Sequence, residues 1–121
     1  MNQLALTIHN GDGIVADFEE AAEYYKMAIE KGNTSAMSNY AFMLEKGQGI
    51  LPNPTEAVKY YKMAIEKGSV TAMNNYGIML KNGNGIPVNY EEAIKYFKMA
   101  ADNGHLTAMC NYAEMLEDGL G

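Results

Sequence analysis

The chain has 121 residues, 48% of them apolar and 20% charged, a composition typical of one folded domain and not of a disordered chain. The net charge is −6 and all nine basic residues are lysine, which argues against a nucleic-acid-binding surface. The single cysteine, Cys110, excludes an internal disulfide framework and favours a reducing, cytoplasmic compartment. Since no apolar run approaches the roughly 18 residues of a membrane-spanning helix, we expect no insertion into a membrane.

The sequence repeats itself every 36 residues. The stretch YYKMAIEKG at 24–32 recurs unchanged at 60–68, and YFKMAADNG stands at 96–104. A Gly-x-Gly triplet occupies 11–13, 47–49, 83–85 and 119–121 in the same register. Self-similarity at a fixed period of this length is typical of solenoid proteins.

Each period contains two patterns of helical spacing, which we name helix A and helix B. In chain order we predict a helix A at 1–10 and then three pairs of helix B followed by helix A, at 17–46, 53–82 and 89–118. One such hairpin cannot bury its apolar stripe alone, whereas stacked hairpins cover one another. The pattern therefore predicts an all-α solenoid, with 1–121 forming a single repeat domain.

The ends of the predicted helices carry clear signals. Asp17, Asn53 and Asn89 stand where helix B should begin, and each is followed three residues later by a glutamate, as in a capping box. Pro54 occupies the first helical position, where its missing N–H costs nothing. Glycines follow the last residues of both helices in every repeat, where a left-handed conformation is required.

The residues that recur at this period resemble the Sel-1-like repeat family, a branch of the tetratricopeptide superfamily. In one repeat they are Ala36, Tyr40, Ala41, Leu44, Gly47, Gly49, Ile50, Asn53, Ala57, Tyr60, Tyr61, Ala64, Ile65 and Gly68. The resemblance covers essentially the whole chain. It implies a right-handed superhelix of antiparallel helix pairs, with the A helices on the concave face. It also implies a non-catalytic scaffold or adaptor that binds a peptide or protein segment.

The superfamily's geometry implies three rows of residues that face the concave groove. These rows are Asn2, Ser38, Asn74 and Cys110; Leu6, Phe42, Ile78 and Glu114; and His9, Glu45, Lys81 and Glu117. The middle row is the most informative, because three of its members are large and apolar where no hairpin contact demands it. We interpret it as an apolar trough for a partner. The alternative is that the curvature of the superhelix itself covers this row.

Other constellations in the sequence do not indicate catalysis or a cofactor. The ten methionines fall in three columns of the repeat, which favours a methionine-filled core over a soft-metal site. The Gly-x-Gly triplets follow helices and lack the third glycine of a dinucleotide fingerprint. The acids near Asp17 lack the spacing of a calcium loop, and neither His9 nor His105 is placed to form a catalytic triad. We predict no catalytic residue, no metal site and no cofactor.

Two alternatives to a binding scaffold stay open at this point. The chain could act as a structural spacer or an oligomerisation module within a larger protein. The last helix A also lacks a following helix B to cover it. We therefore expect the chain to be a fragment of a longer array, or else its uncapped ends to associate with another chain.

Overall fold

The computed structural model describes residues 17–119, and all regular structure within this range is α-helical. Six helices follow one another, joined by short connections. They are α1 (Phe18–Glu30), α2 (Thr34–Lys46), α3 (Pro54–Glu66), α4 (Val70–Asn82), α5 (Tyr90–Asp102) and α6 (Leu106–Glu117). The predicted alternation is confirmed, with α1, α3 and α5 as B helices and α2, α4 and α6 as A helices. The helix A expected at 1–10 lies outside the described residues.

The helix starts follow the predicted capping chemistry. The Asn89 side chain accepts a hydrogen bond from the Glu92 amide and donates one to the Glu92 carboxylate, both at 3.1 Å. Asn53 forms the same reciprocal pair with Glu56, at 3.1 and 3.0 Å. Asp17 caps α1 by accepting from the Glu20 amide at 2.9 Å. In each of these three helices one otherwise unpaired backbone donor, the amide of the glutamate, is thereby satisfied within three residues of sequence.

The Gly-x-Gly loops are tight connections from an A helix to the next B helix. In the first described loop the Asn53 amide donates to the Leu44 carbonyl at 2.8 Å, which brings the start of α3 back onto the end of α2. Gly49 has a φ of 69° and lies against the Phe18 side chain, so a Cβ at this position would overlap the ring. The loop glycine is therefore required both by its backbone conformation and by its close neighbour.

The chain divides into two compact units, with the boundary between Ala64 and Ile65 in the last turn of α3. The first unit packs α1, α2 and most of α3 around small and aromatic side chains; Ala21, Tyr25, Met43 and Tyr61 are fully buried. An edge-to-face contact between Tyr40 and Tyr60, with ring centroids 5.1 Å apart, joins α2 to α3.

The second unit repeats this design with α4, α5 and α6. Phe97, Met79 and Met115 are its largest fully buried side chains. The Tyr76 and Tyr96 rings lie 5.1 Å apart, matching the aromatic pair of the first unit. The predicted methionine-filled core is confirmed only in part: the methionines at 37, 43, 73, 79 and 115 are buried, whereas Met27 and Met109 are 43% and 42% exposed and Met63 and Met99 are half-buried. That residues 1–121 form a single domain stays a prediction.

Candidate interaction surface

The apolar row predicted from the sequence is represented by Phe42 on α2 and Ile78 on α4. Both side chains are half-buried, whereas the residues that follow them, Met43 and Met79, are completely buried. Leu6 lies outside the described residues. Glu114, which ends the row on α6, is exposed. Each unit therefore presents one partly exposed, large apolar side chain at the same register of an A helix.

The Phe42 ring has a cation beside it that the sequence analysis did not anticipate. The Lys46 ammonium lies 5.6 Å from the ring centroid, one helical turn further along α2. At this distance an ammonium is attracted by the negative face of the ring. The i, i+4 spacing of an aromatic residue and a lysine is the signal that could have predicted the contact.

The polar row is less exposed than the lining of a binding groove should be. Ser38 and Asn74 are only 5% and 4% exposed. In the second unit the Asn111 side-chain amide donates to the Asn74 side-chain oxygen at 3.0 Å, which joins α6 to α4. Cys110 is exposed, and Asn2 lies outside the described residues. Asn111 was missed by the sequence analysis, although an asparagine stands at this register in every described repeat, at 39, 75 and 111.

The members of the charged row differ in their burial and in the side chains that they contact. The Glu45 carboxylate accepts a hydrogen bond from the Tyr61 hydroxyl of α3 at 2.8 Å and lies 3.4 Å from the Lys46 ammonium, with its side chain only 4% exposed. Burial, followed by the Glu45 carboxylate, raises the pKa of the Tyr61 phenol. Lys81 is half-buried and Glu117 is exposed, while His9 lies outside the described residues. Glu45 thus already binds side chains of its own unit.

The described residues hold no group of three or more His, Cys, Asp or Glu side chains that could bind a metal ion. Within the same range, no helix has both the length and the apolar character needed to cross a membrane.

Comparison with known proteins agrees with this architecture. The sequence model of the Sel1 repeat family matches four successive segments of this chain, at 1–33, 34–69, 70–105 and 106–121. A Sel1 repeat protein from Oxalobacter formigenes is 26% identical, with a TM-score of 0.86 over 98% of this chain and 48% of its own. The protective antigen c5321 of uropathogenic Escherichia coli strains, which displays an SLR fold, is 29% identical, with a TM-score of 0.90 over 99% of this chain and 26% of its own.

This chain spans about half the length of the first of these structures and about a quarter of the second. Among proteins of curated function, none matches it in sequence. The fold is an all-α helical repeat solenoid, and proteins built from such repeats generally serve as non-catalytic scaffolds for protein–protein interaction. With repeat matches along its entire length, the chain belongs to the Sel1 repeat family.

Proposed function

We propose that this chain is a non-catalytic scaffold that binds a peptide or protein segment on the exposed faces of its A helices. One observation supports the proposal above the others. Phe42 and Ile78 are large, apolar and partly exposed at the same register of α2 and α4. The residues directly before and after each of them are buried, namely Ala41, Met43, Gly77 and Met79. Partial exposure of a large apolar side chain at this point of both helices leaves apolar surface that a bound segment would cover.

The energetics of such a site rest on the apolar row. Removing apolar surface from water contributes about 25 cal/mol per Å². A few desolvated anchors generally carry most of the binding energy of an interface. Phe42 and Ile78 are suited to this role, each within its own unit. For Phe42 the adjoining Lys46 ammonium adds a preference for an acidic or aromatic group on the bound segment.

Orientation of the bound segment would come from the polar row. Asn74 and Asn111 already lie within 3.0 Å of each other, which holds their side chains in place. A side-chain amide offers two donor hydrogens and an acceptor oxygen, more than this one bond uses. Because Asn74 is only 4% exposed, Asn111 is the member of the pair suited to bind a backbone amide of an extended segment. The remaining members of the three rows, from Asn2 and Leu6 to Lys81, Cys110, Glu114 and Glu117, stay part of the proposed surface.

The test compares three immobilised forms of the chain in a lysate of the source organism, with bound proteins identified by mass spectrometry. The first is the unaltered chain and the second carries Phe42→Glu with Ile78→Glu. The third carries Lys62→Gln with Lys98→Gln, two exposed lysines on B helices, and has the same net charge of −8 as the second (−6 − 2 in both). Circular dichroism and urea unfolding of each form establish that it is folded.

We expect a set of proteins retained by the unaltered chain and by the lysine variant, and lost from the glutamate variant. Proteins retained equally by all three forms would place the binding surface elsewhere. If the glutamate variant unfolds, the row is part of the core and the proposal is wrong. If the glutamate variant is folded and loses these proteins, the single variants Phe42→Glu and Ile78→Glu show which unit contributes the larger share of the binding.

A further inference from the structure

Lys81 on α4 is a partly buried charge without a partner in the described part of the chain. Neither an ion pair nor a hydrogen bond joins its ammonium to any of residues 17–119. Lys81 stands three residues after Ile78 and seven after Asn74, so the three positions follow one face of the helix. The helix is covered by α5, whose Phe97 ring lies directly against Gly77. The unpaired ammonium is therefore a feature of a fully packed hairpin.

The first unit shows why this charge has no partner. At the register of Lys81, the Glu45 carboxylate of α2 accepts a 2.8 Å hydrogen bond from Tyr61 and lies 3.4 Å from the Lys46 ammonium. In the second unit Phe97 stands in place of Tyr61, and Asn82 stands in place of Lys46. Phe97 offers no hydrogen-bonding group, and Asn82 carries no charge. The position whose charge is satisfied internally in the first unit thus keeps a free charge in the second.

The location of Lys81 indicates which ligand group it would bind. An ammonium that is partly withdrawn from water interacts more strongly with an opposite charge than a fully exposed one does, because the effective dielectric constant around it is lower. A carboxylate held beside Ile78 would supply that opposite charge. On α6, which the bond between Asn111 and Asn74 joins to α4, Glu114 stands at the register of Ile78. An acidic group is therefore favoured over α4 and disfavoured over α6.

We propose that Lys81 selects bound segments that carry an aspartate or glutamate side chain two residues away from the apolar residue packed on Ile78. The inference rests on the proposed function and names its ligand, an extended segment with an acidic side chain. Ile78 and Lys81 are separated by roughly 4.5 Å along the helix axis. Residues i and i+2 of an extended chain lie on the same side, about 6.5 Å apart, and the flexible lysine stem covers the difference.

The test uses solution NMR on the full chain, because this method detects weak binding at individual residues. The signals to follow are the Ile78 methyl groups and the Asn111 side-chain amide. The main probes are the blocked peptide Gly-Ser-Leu-Ser-Glu-Ser-Gly and its form with glutamine in place of glutamate, together with the same pair in reversed order. A further peptide, Gly-Ser-Leu-Ser with a free carboxyl terminus, presents the negative charge as a chain end.

We expect the glutamate peptide, in one of the two orders, to shift both signals and to bind about fivefold more tightly than its glutamine form. High salt should reduce this preference. Lys81→Met keeps the aliphatic stem without the charge and should abolish the preference, as should Lys81→Gln. The matched control is Lys98→Met, which removes an exposed lysine of α5 and should leave the preference unchanged. Urea unfolding of each variant establishes that it is folded.

Several results would overturn the inference. Equal binding of the glutamate and glutamine peptides at Ile78 would remove the role of charge while leaving the proposed function intact. A preference that persists in Lys81→Met would assign the carboxylate to another cation. Tighter binding of the free-terminus peptide alone would assign the position to chain ends. If no peptide shifts the Ile78 signals, the inference is wrong, and the lysate comparison decides the proposed function separately.

Discussion

The Tyr61 hydroxyl donates a 2.8 Å hydrogen bond to the Glu45 carboxylate, joining α3 to α2 through two side chains that are almost completely buried. One repeat later the same two positions hold Phe97 and Lys81. The residues at these two positions thus change together between the first unit and the second. In the first unit a hydroxyl on the B helix binds an acceptor on the A helix, whereas in the second unit the same positions hold a plain ring and a lysine.

Tyr61→Phe should destabilise the first unit, because it leaves the buried Glu45 carboxylate without this donor. The expected cost is about 1 to 3 kcal/mol in the free energy of unfolding. Adding Glu45→Lys to this variant reproduces the pair of the second unit and should restore most of the loss. Urea unfolding of the two single variants and the double variant, treated as a cycle, measures the coupling. Additive effects of the two substitutions would contradict a direct interaction.

Gly77→Ala tests how closely α4 and α5 approach. A Cβ at this position would lie 2.7 Å from a ring carbon of the fully buried Phe97. The helix propensity of alanine is worth about 1 kcal/mol over glycine, whereas overpacking a core costs about 1 to 3 kcal/mol. We expect a net loss of about 1 kcal/mol in thermal or urea unfolding.

The matched control for this prediction is Thr71→Ala on the exposed face of α4, which changes helix propensity without crowding and should be neutral or slightly stabilising. Ala41 fills the same position of α2, where α3 supplies Tyr61, so the fold can adapt to a methyl group at this register. A Gly77→Ala variant as stable as the control variant would mean that Phe97 moves freely.

His105→Asn should stabilise the second unit by about 0.5 to 1 kcal/mol. His105 begins α6 by accepting a hydrogen bond from the Ala108 amide at its Nδ1 atom, at 3.1 Å. Only the neutral ring with its hydrogen on Nε2 can accept at Nδ1, whereas an asparagine oxygen accepts in every state. Asn33 performs this role for α2 at 2.8 Å. A less stable variant would show that packing of the half-buried imidazole outweighs its capping.

The protein should lose stability as the pH rises above 10. Burial, followed by the charge of Glu92 and the coupling to Tyr96, raises the pKa of Tyr76 to about 12. The unfolded chain releases this proton near pH 10, while the folded chain retains it, so the stability that is present below pH 10 falls as the pH rises toward 12.

Tyr76→Phe removes this contribution, and the fall in unfolding free energy between pH 8 and pH 11.5 should then be smaller by about 1 to 3 kcal/mol. Urea unfolding of both proteins at the two pH values measures the difference, since the lysines titrate in both and cancel. An equal fall in the two proteins would show that Tyr76 titrates normally in the fold.

Most of the helix pattern could be predicted from the residues in order. The Asn89 and Glu92 capping pair and the glycine after α4 depend on interactions across three or four positions, which short-range rules describe well. The interaction surface was less predictable. The register of Phe42 and Ile78 follows from helical spacing, but the contact of Lys46 with Phe42 was recognised only in the structure.

Local residue choice thus establishes the 36-residue period, the caps and the loop glycines, because each depends on atoms a few residues apart. The packing between helices settles which polar groups are withdrawn from solvent. The carboxylate of Glu45 binds Tyr61, and Asn111 binds Asn74 across 37 positions of sequence. Such pairs form only when two helices approach to within hydrogen-bond distance, and that distance is set by the volumes of the alanine and aromatic side chains between them.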